Sequence, residues 1–444
     1  MRERILSIQD RRLSPPSSGA SFKGPLGPRR VVARDGTHGV EHLALDRPTF
    51  RNQVNLHVTA DESREAILRA IRDSRESFWI EMFIWRHDTS GRAIAQALID
   101  RKQRALAEGK PFDAKVLIDW SGLRDVSKPG QDTEIVDFLR QGGIEVLTFN
   151  RGGVDPSAAG VTPITHRKLF IQDGHRFLSG GRNIGDEYLQ QTFINPKNQK
   201  EYSWHDLMFT IEGPETGRVQ LEFLKNWVRA GGSLPKYLPA AQAAPGGTAW
   251  VQSVTTDPHA RSTELRDTHL KLIRYAEREI RLVYPYFSDD QMMAELIAAK
   301  RRHPRLKVKV LLPGKGERGI PGLIFGNLNL ESARQLLAAG IEVRFLEKRP
   351  EGPERVEAFS HFKALAVDGK VLSLGSANGD ARTLAHNHEL NAIIRDPRLA
   401  ENFIQRVLEP DWASAEVIDT ATICAQPWWR RLLQQGLELL DFLF

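Results

Sequence analysis

The sequence predicts an α/β protein made of two pseudo-symmetric halves, each a mixed β-sheet flanked by helices, with a candidate site at their interface. Helical and strand-like segments alternate along the chain, which is typical of a sheet covered by helices. The same pattern then occurs a second time, about 195 residues further on. A stretch rich in Gly, Pro and Ala at residues 231–247 separates the two copies and is typical of a linker.

Each half shows the same order of elements. In the first half, helical patterns precede the strand-like segments FWIEMFIW, AKVLIDW and GIEVLTF. In the second half, helical patterns precede IRLVYPYF, LKVKVLLPG and IEVRFLE. Matching positions keep a nearly constant offset of 194 to 197 residues, for example from Gly143 to Gly340 and from His166 to His361. Such constancy over several elements indicates an internal duplication.

The composition along the chain predicts five segments. Residues 1–50 are rich in Arg, Pro, Ser and Gly and are expected to be a flexible lead-in. The first half then covers residues 51–230, a linker covers 231–250, and the second half covers 251–415. Residues 416–444 form a C-terminal amphipathic segment.

The overall composition is that of an ordinary globular protein. The 444 residues are 41% hydrophobic and 27% charged, with a formal net charge of +6 that favours an anionic partner, either nucleic acid or acidic lipid. The single cysteine, Cys424, excludes an internal disulfide and a cysteine-rich metal site, so a reducing compartment fits best. We find neither a signal-peptide core nor an apolar run long enough to span a membrane, and expect a soluble or surface-bound chain.

Two short motifs carry chemical groups that a sheet core does not need. THRKLFIQDG contains His166 and Lys168, and SHFKALAVDG contains His361 and Lys363. Alternation along a strand places the histidine and the lysine of each motif on one face. A lone His-x-Lys on a strand is more often an edge decoration. Two copies in register favour a functional site.

The Asp-Gly pairs at 173–174 and 368–369 predict tight turns after these motifs. With two-residue turns, Ser376 would lie opposite His361, and Gly181 would take the equivalent place in the first half. The residues that follow on the same face are asparagines. We therefore expect one imidazole, one ammonium and one carboxamide to converge from each half.

Such a cluster suits a phosphate group. Lysines and the amides of Asn183 and Asn378 can hold non-bridging oxygens, while one histidine acts as nucleophile and a second as acid and base. Asp173 and Asp368 would point away from the cluster at the turns, which predicts a structural role for both.

The doubled motif resembles the signature of the phospholipase D superfamily, H-x-K-x₄-D-x₆-G-[SG]-x-N, over roughly residues 52–415. The matching residues are His166, Lys168, Asp173, Gly180, Gly181 and Asn183, then His361, Lys363, Asp368, Gly375, Ser376 and Asn378. The resemblance implies that the His, Lys and Asp of each motif form the catalytic set, and that Asn183, Asn378 and Ser376 bind phosphate. It also implies a central cleft without metal or cofactor, with His166 as the nucleophile and His361 as the acid/base.

The same resemblance implies a carboxylate that orients each histidine. Asn387-His388-Glu389 matches the N-x-E of the family, which makes Glu389 the candidate in the second half. In the first half Trp204-His205-Asp206 resembles the W-[RH]-D of membrane-lipid synthases, which makes Asp206 the candidate. The alternative for either acid is an ordinary surface carboxylate. His205 and His388 are expected to be packing or rim residues.

Several segments resemble bacterial cardiolipin synthases of the short, peripheral type. They are GGRNIGDEY, WHDLMFTIEGP, YPYF with LLPGK, and GSANGDARTLAHNHE. This resemblance implies transfer of a phosphatidyl group through a phosphohistidine to a second phosphatidylglycerol or a related alcohol. It also implies anionic phospholipid as the partner, at the cytoplasmic side of the bacterial inner membrane, and makes nucleic acid an improbable partner. The oligomeric state stays open.

Three other stretches have two interpretations each. The tail PWWRRLLQQGLELLDFLF at 427–444 predicts an amphipathic helix that either lies on acidic lipid or docks on its own domain. The basic run at 300–309 is expected to be a solvated helix end rather than a lipid-facing patch. GKGERG at 314–319 lacks the Lys-Ser/Thr ending of a nucleotide-binding loop, which argues against ATP binding.

The sequence leaves three functions open. The first is a cardiolipin synthase-like phosphatidyltransferase. The second is a phospholipase D or a nuclease of the same superfamily, in which water is the acceptor. The third is a non-catalytic protein that binds anions or lipid, although such a protein would not need both histidines with their acids.

Overall fold

Fifteen strands form one continuous sheet in the computed structural model, which describes residues 29–30, 48–123, 133–150, 162–194, 201–313, 320–346 and 357–419. Within these ranges, no helix combines the length and the apolar character needed to cross a membrane. The predicted N-terminal lead-in lies almost wholly outside the described residues. The stretch 314–319 and the amphipathic tail from residue 420 onward lie outside them as well.

Seven strands come from each half, and one short strand follows at the edge. They are β1 Thr49–His57, β2 Ser77–Met82, β3 Asp113–Asp119, β4 Glu145–Phe149, β5 Lys168–Gln172, β6 Arg176–Gly180, β7 Met208–Glu212, β8 Ala249–Thr256, β9 Glu279–Val283, β10 Lys307–Leu312, β11 Glu342–Phe345, β12 Ala364–Val367, β13 Val371–Gly375, β14 Glu389–Arg395 and β15 Glu416–Val417.

The strand order shows the duplication directly. Across the sheet it is β15-β11-β10-β9-β12-β13-β14-β8-β1-β7-β6-β5-β2-β3-β4. Each strand of the first half has a counterpart in the second half whose number is higher by seven, and the two lie at mirrored places in the order. The edge strand β15 is additional to these seven pairs. Strands β2, β3 and β4 pair in parallel, as do β9, β10 and β11, and the other strands pair antiparallel. The two halves join through β1 and β8 at the centre.

Eight labelled helices accompany the sheet. They are α1 Ala60–Asp73, α2 Thr89–Ala107, α3 Thr133–Gln141, α4 Thr216–Arg229, α5 Glu264–Arg274, α6 Asp290–Arg302, α7 Ile320–Ala338 and α8 Pro397–Phe403. The last is continued by a π-helical segment, Ile404–Leu408, and by the helix Glu409–Ser414. Short helices occur at Trp120–Leu123, Asp186–Leu189 and Ala381–His386. Helix α1 starts with a capping box, in which Thr59 and Glu62 each bind the other's backbone N–H.

The apolar core has three parts. Helices α1 to α3 bury one set of side chains against the first half, and α5 to α7 bury an equivalent set against the second half. The third part includes residues from both halves, packed against α4 and the helical segment that begins with α8. Each fully buried aromatic residue there, such as Phe223, Trp227 and Phe403, contributes up to about 3 kcal/mol of apolar burial. The two halves thus share part of their apolar core.

Two smaller groups of strands lie outside the main sheet. Arg29–Arg30 pairs with Tyr237–Leu238. A three-stranded sheet contains Phe193–Ile194, Glu201–His205 and Glu357–Ser360, and thus joins segments of both halves.

The β-hairpins that follow the two motifs differ from the prediction by one residue. Leu365 pairs with Ser373 and Leu169 with Ser179, so the loop between the strands has three residues rather than two. The Asp and the Gly of each turn both have positive φ, between 48° and 66°, and the third residue, His175 or Lys370, belongs to the turn. Strand pairing within the two hairpins begins at Leu169 and at Ala364, after the motif histidines. The predicted pairing of Ser376 with His361, and of Gly181 with His166, is therefore wrong.

Candidate active site

Each motif histidine is held by a carboxylate from the other half of the chain. His166 Nδ1 lies 2.9 Å from Oε1 of Glu389, and His361 Nδ1 lies 2.7 Å from Oδ2 of Asp206. All four side chains are buried. A carboxylate that accepts the Nδ1–H of an imidazole fixes the tautomer, so that Nε2 carries the free lone pair. The sequence indicated one acid in each half, but it did not indicate that the two acids are exchanged.

The backbone supports this exchange. The N–H of His166 donates to the carbonyl oxygen of His388 at 3.0 Å, and the N–H of His361 donates to that of His205 at 2.8 Å. Because His388 precedes Glu389 and His205 precedes Asp206, each motif is tied to the segment that carries its acid. The side chains of His205 and His388 are themselves buried, as packing residues should be.

Two buried lysines accompany the histidines. Lys168 Nζ donates to the carbonyl oxygen of His166 at 2.6 Å, and Lys363 Nζ lies 3.0 Å from both ring nitrogens of His361. Each lysine lowers the pKa of both histidines, including the one in the other half. The two motifs are therefore close enough in space for their charges to interact.

Burial sets the protonation state of these groups. It lowers the pKa of His166 to about 4 and that of His361 to about 3, and the lysines act in the same direction. Burial alone would raise the pKa of Asp206, but the hydrogen bond from His361 and the charge of Lys363 bring it down to about 2. Both imidazoles are thus neutral near pH 7, beside ionised carboxylates. Because an imidazole needs its lone pair to act as a nucleophile or a base, this state suits either role.

The motif asparagines lie beside this cluster. Asn183 is buried, and its side-chain oxygen accepts from the N–H of Ile84 at 3.3 Å. Asn378 is also buried, and its side-chain oxygen has no hydrogen-bond partner among the described residues. An unpaired polar group in a buried site is costly unless a ligand or water completes it. The unpaired oxygen of Asn378 can therefore accept a hydrogen bond from a ligand hydroxyl or from water.

The motif aspartates lie at the turns, where their carboxylates bind backbone N–H groups. Asp173 accepts from Arg75, Glu76 and Ser77 at 2.7–2.8 Å, and Asp368 binds the equivalent segment 277–279. This arrangement agrees with the structural role that strand geometry predicted. Because their carboxylates are already satisfied at the turns, these contacts favour a structural role over the catalytic role that the resemblance implies for both aspartates.

The [SG] position of the motif has a different function in each half. Ser376 Oγ donates to Oε2 of Glu389 at 2.5 Å and so holds the longer acid in place. At Gly181 a Cβ atom would lie 2.2 Å from Oδ1 of Asp206. The absence of a side chain at Gly181 leaves space for the shorter acid. Ser376 is thus placed to position Glu389, although it was predicted to bind phosphate.

The two motifs also differ at the residue between His and Lys. Arg167 is buried, and its guanidinium donates to the carboxylate of Glu222 at 3.2 Å and to the carbonyl oxygen of Glu389 at 3.3 Å. The second motif has Phe362 at this place, packed against His205 and Phe403. Because a buried charge needs partners, Arg167 requires an ionic cluster where Phe362 requires only apolar contacts.

Sequence reasoning missed Asp119. Its Oδ2 accepts from the N–H of Thr165 at 2.7 Å, directly before His166, and its other oxygen binds Ser121. Burial raises the pKa of Asp119 to about 6. The sequence feature that could have indicated Asp119 is its position at the carboxyl end of a buried parallel strand, where ligand-binding residues of α/β proteins are often found.

One cluster of described residues has the composition of a metal site. Asp257, His259 and His388 offer ligand atoms that all lie within 4.8 Å of one another. Asp257, however, already binds Arg229 at 2.9 Å and two backbone N–H groups, and His259 Nδ1 lies 2.9 Å from Nε2 of His388. These contacts explain the cluster as a support for the segment that carries Glu389.

Sequence comparison relates the chain to cardiolipin synthases. Residues 269–412 match the family model described as "Cardiolipin synthase, PLD-like domain". Cardiolipin synthase 1 of Bacillus anthracis is 25% identical over 436 residues, which cover 95% of this chain and 78% of that protein. The major cardiolipin synthase of Bacillus subtilis is 26% identical over 400 residues, which cover 88% of this chain and 76% of that protein.

Structural comparison supports the fold. A crystal structure of phosphatidylserine synthase from Haemophilus influenzae superposes with a TM-score of 0.66 at 16% sequence identity. The match covers 91% of this chain and 99% of that one. The predicted class, an α/β protein with a mixed sheet flanked by helices, is confirmed.

Proposed function

We propose that the chain is a cardiolipin synthase-like phosphatidyltransferase of the phospholipase D superfamily, to whose members it is similar. The proposed donor is phosphatidylglycerol, and the proposed acceptor is a second phosphatidylglycerol or a related alcohol. Support for the lipid class comes from the cardiolipin synthases to which the chain is similar. The observation that carries the chemistry is the crossed pairing of His166 with Glu389 and of His361 with Asp206.

In the first proposed step, Nε2 of His166 attacks phosphorus and the bond to the leaving glycerol breaks. His361 supplies a proton to the departing oxygen. The imidazole of His361 is neutral in the free protein, but a phosphate anion bound beside it favours the protonated form, because opposite charges stabilise each other. Lys168 and Lys363, with Asn183 and Asn378, are proposed to hold the non-bridging oxygens.

In the second proposed step, the acceptor hydroxyl attacks phosphorus and the P–N bond to His166 breaks. His361 now takes the proton of the hydroxyl and returns to the state it had before the first step. Glu389 and Asp206 keep each imidazole oriented through both steps. Both histidines are regenerated over the two steps, and only the two lipids are consumed.

The proposed place of action is a membrane surface, on the cytoplasmic side of the bacterial inner membrane, with the protein bound peripherally. The reason is that the proposed substrates reside in membranes. A single chain supplies both motifs, so the proposal does not depend on an oligomer.

The function is tested with purified protein and vesicles of labelled phosphatidylglycerol, with products resolved by mass spectrometry and plasmid DNA as a parallel substrate. We expect cardiolipin and glycerol, and we expect both to disappear in His166→Ala and in His361→Ala. His303→Ala, which removes an exposed histidine at a helix end, is the matched control and should stay active. Phosphatidic acid alone, or nicked DNA without a new lipid, would instead establish water as the acceptor.

The order of the histidines needs a separate experiment. A phosphodiester with a p-nitrophenyl leaving group does not need an acid, so His361→Ala should still release p-nitrophenol in a burst and accumulate a phosphorylated His166. His166→Ala should show no burst. Peptide mass spectrometry identifies the modified residue, and a phosphorylated His361 in His166→Ala would reverse the assignment.

A further inference from the structure

The surroundings of the two motif histidines break the symmetry of the chain. On the His361 side, the strand Glu357–Ser360 pairs in parallel with Glu201–His205, and Phe193–Ile194 completes a three-stranded sheet. On the His166 side, the corresponding contact within the described residues is one isolated bridge, from Thr165 to His388. In the part of the chain that the structure describes, the His361 motif therefore has an additional wall beside it, built from both halves.

Aromatic rings cover this wall. Trp204 and Phe359 are direct register partners in the small sheet, with ring centroids 5.2 Å apart. The ring of Trp204 meets that of His361 edge-on at 4.8 Å, and Phe359 lies 6.0 Å from it. Tyr188 packs on Trp204 at 4.8 Å and lies 6.4 Å from His361. Trp204 and Phe359 are only partly buried, so part of each side chain remains exposed.

The matching positions near His166 are not aromatic. Two residues before the acid, Trp204 is replaced by Asn387, and two residues before the histidine, Phe359 is replaced by Ile164. Among the described residues, Phe83 is the ring that contacts His166, at 5.0 Å. The described surroundings of His361 are thus richer in aromatic rings than those of His166.

We propose that Trp204 and Phe359 form the apolar wall of the acceptor subsite and favour the alcohol of a second lipid over water. This inference rests on the proposed function, in which His361 takes the proton of the acceptor. The acceptor oxygen must then lie within hydrogen-bonding reach of His361, next to these rings. The carbon faces of the rings contact the hydrocarbon part of a glycerol headgroup and of the lipid behind it, and these faces offer water no hydrogen-bond partner.

The two outcomes of the second step share one set of bonds. When a lipid hydroxyl occupies the subsite, its oxygen bonds to phosphorus, the P–N bond to His166 breaks and the proton passes to His361, which gives cardiolipin. When water occupies the same place, the same changes give phosphatidic acid. The ratio of the two products therefore reports on the wall, independently of the overall rate.

The test compares wild type with Phe359→Ala and Trp204→Ala on phosphatidylglycerol vesicles, with cardiolipin and phosphatidic acid both quantified. We expect the phosphatidic acid to cardiolipin ratio to rise by about fivefold in each variant, the effect of losing one aromatic contact with a bound group. Trp204→Phe, which keeps a ring, should restore most of the wild-type ratio. Circular dichroism and thermal unfolding verify that each variant is folded. If Trp204→Ala does not fold, Phe359→Ala alone tests the inference.

Phe83→Leu is the matched control, because it removes the ring beside His166. Its overall rate is expected to fall without a change in the product ratio. An unchanged ratio in both Phe359→Ala and Trp204→Ala would overturn the inference while leaving the proposed function intact. A wild-type protein that converts phosphatidylglycerol to neither product would overturn the proposed function itself.

Discussion

Asp206, in the first half of the chain, lies 2.7 Å from the imidazole of His361, in the second half. Glu389 of the second half has the same relation to His166 of the first. Each acid therefore orients a histidine that is distant in sequence, by 155 residues for Asp206 and by 223 residues for Glu389.

Asp206→Asn should lower kcat for phosphatidylglycerol by about 10²- to 10⁴-fold, the range in which general acid–base catalysis contributes. The amide keeps the size of the carboxylate but loses the charge that stabilises a protonated His361. Glu389→Gln should have a comparable effect through His166. Steady-state product formation measures both, and wild-type turnover in either variant would show that the carboxylate charge is not needed.

Gly181→Ala should reduce activity by about 10-fold or more, because the displaced carboxylate would no longer hold His361 in a reactive geometry. The new methyl group would lie 2.2 Å from Oδ1 of Asp206, far inside van der Waals contact. Gly217→Ala is the control, since a Cβ atom there meets its nearest neighbour, the methyl group of Ala241, at 3.3 Å. Equal activity in the two variants would contradict the role assigned to Gly181.

Asp368→Ala should lower the free energy of unfolding by about 1.5–3 kcal/mol, the contribution of hydrogen bonds to a charged group. Its carboxylate binds the N–H groups of Glu277, Arg278 and Glu279. Alanine also tolerates the positive φ of 57° at this position less well than aspartate or asparagine. Urea unfolding measures the loss, and Asp368→Asn should lose less.

The kcat of the folded Asp368→Ala protein should remain that of the wild type, because Asp368 lies at the turn and away from the histidines. A large fall in kcat without a change in stability would return this aspartate to the catalytic set.

Acid should destabilise the protein partly through His269. Burial lowers its pKa to about 4, and Nε2 of the ring lies 2.8 Å from Ser373 Oγ. The unfolded chain binds a proton at its ordinary value near 6.5, so stability falls as pH drops from about 6.5 towards 4. The loss from this residue reaches up to about 3 kcal/mol.

His269→Gln keeps a donor for Ser373 but does not titrate. Its unfolding free energy, measured by urea titration at pH 7 and at pH 4.5, should depend less on pH than that of the wild type. Identical pH dependence in the two proteins would show that His269 is not a source of the acid sensitivity.

Much of the arrangement could be predicted from the sequence. The constant offset between the halves predicted the duplicated sheet. The resemblance indicated the two histidines and the two acids that the structure brings together, although the register predicted for the hairpins was wrong. The exchange of Asp206 and Glu389 could not be predicted, because a sequence shows the half to which an acid belongs but not which histidine it reaches in space.

The one-residue shift of the hairpins has a local cause. Asp-Gly indicated a turn. The length of the loop, however, depends on the backbone angles at Asp173 and Asp368 and on the residue after each glycine, which lies outside the strand ladder.

The buried ionic contacts of Arg167 could not be predicted for a different reason. A charged residue inside a buried strand becomes interpretable only when its partners, such as Glu222, are known.

The exchange of the two acids bears on how the chain could have arisen from two copies of one half. A two-fold axis makes any contact between unlike residues occur twice, once in each direction, and the pairs His166–Glu389 and His361–Asp206 follow this rule. Two identical copies of either half, related by such an axis, would contain the same reciprocal pairs. If one half lost its histidine, its acid would still be needed to orient the histidine of the other half. Selection would therefore continue to act on both halves of the fused chain.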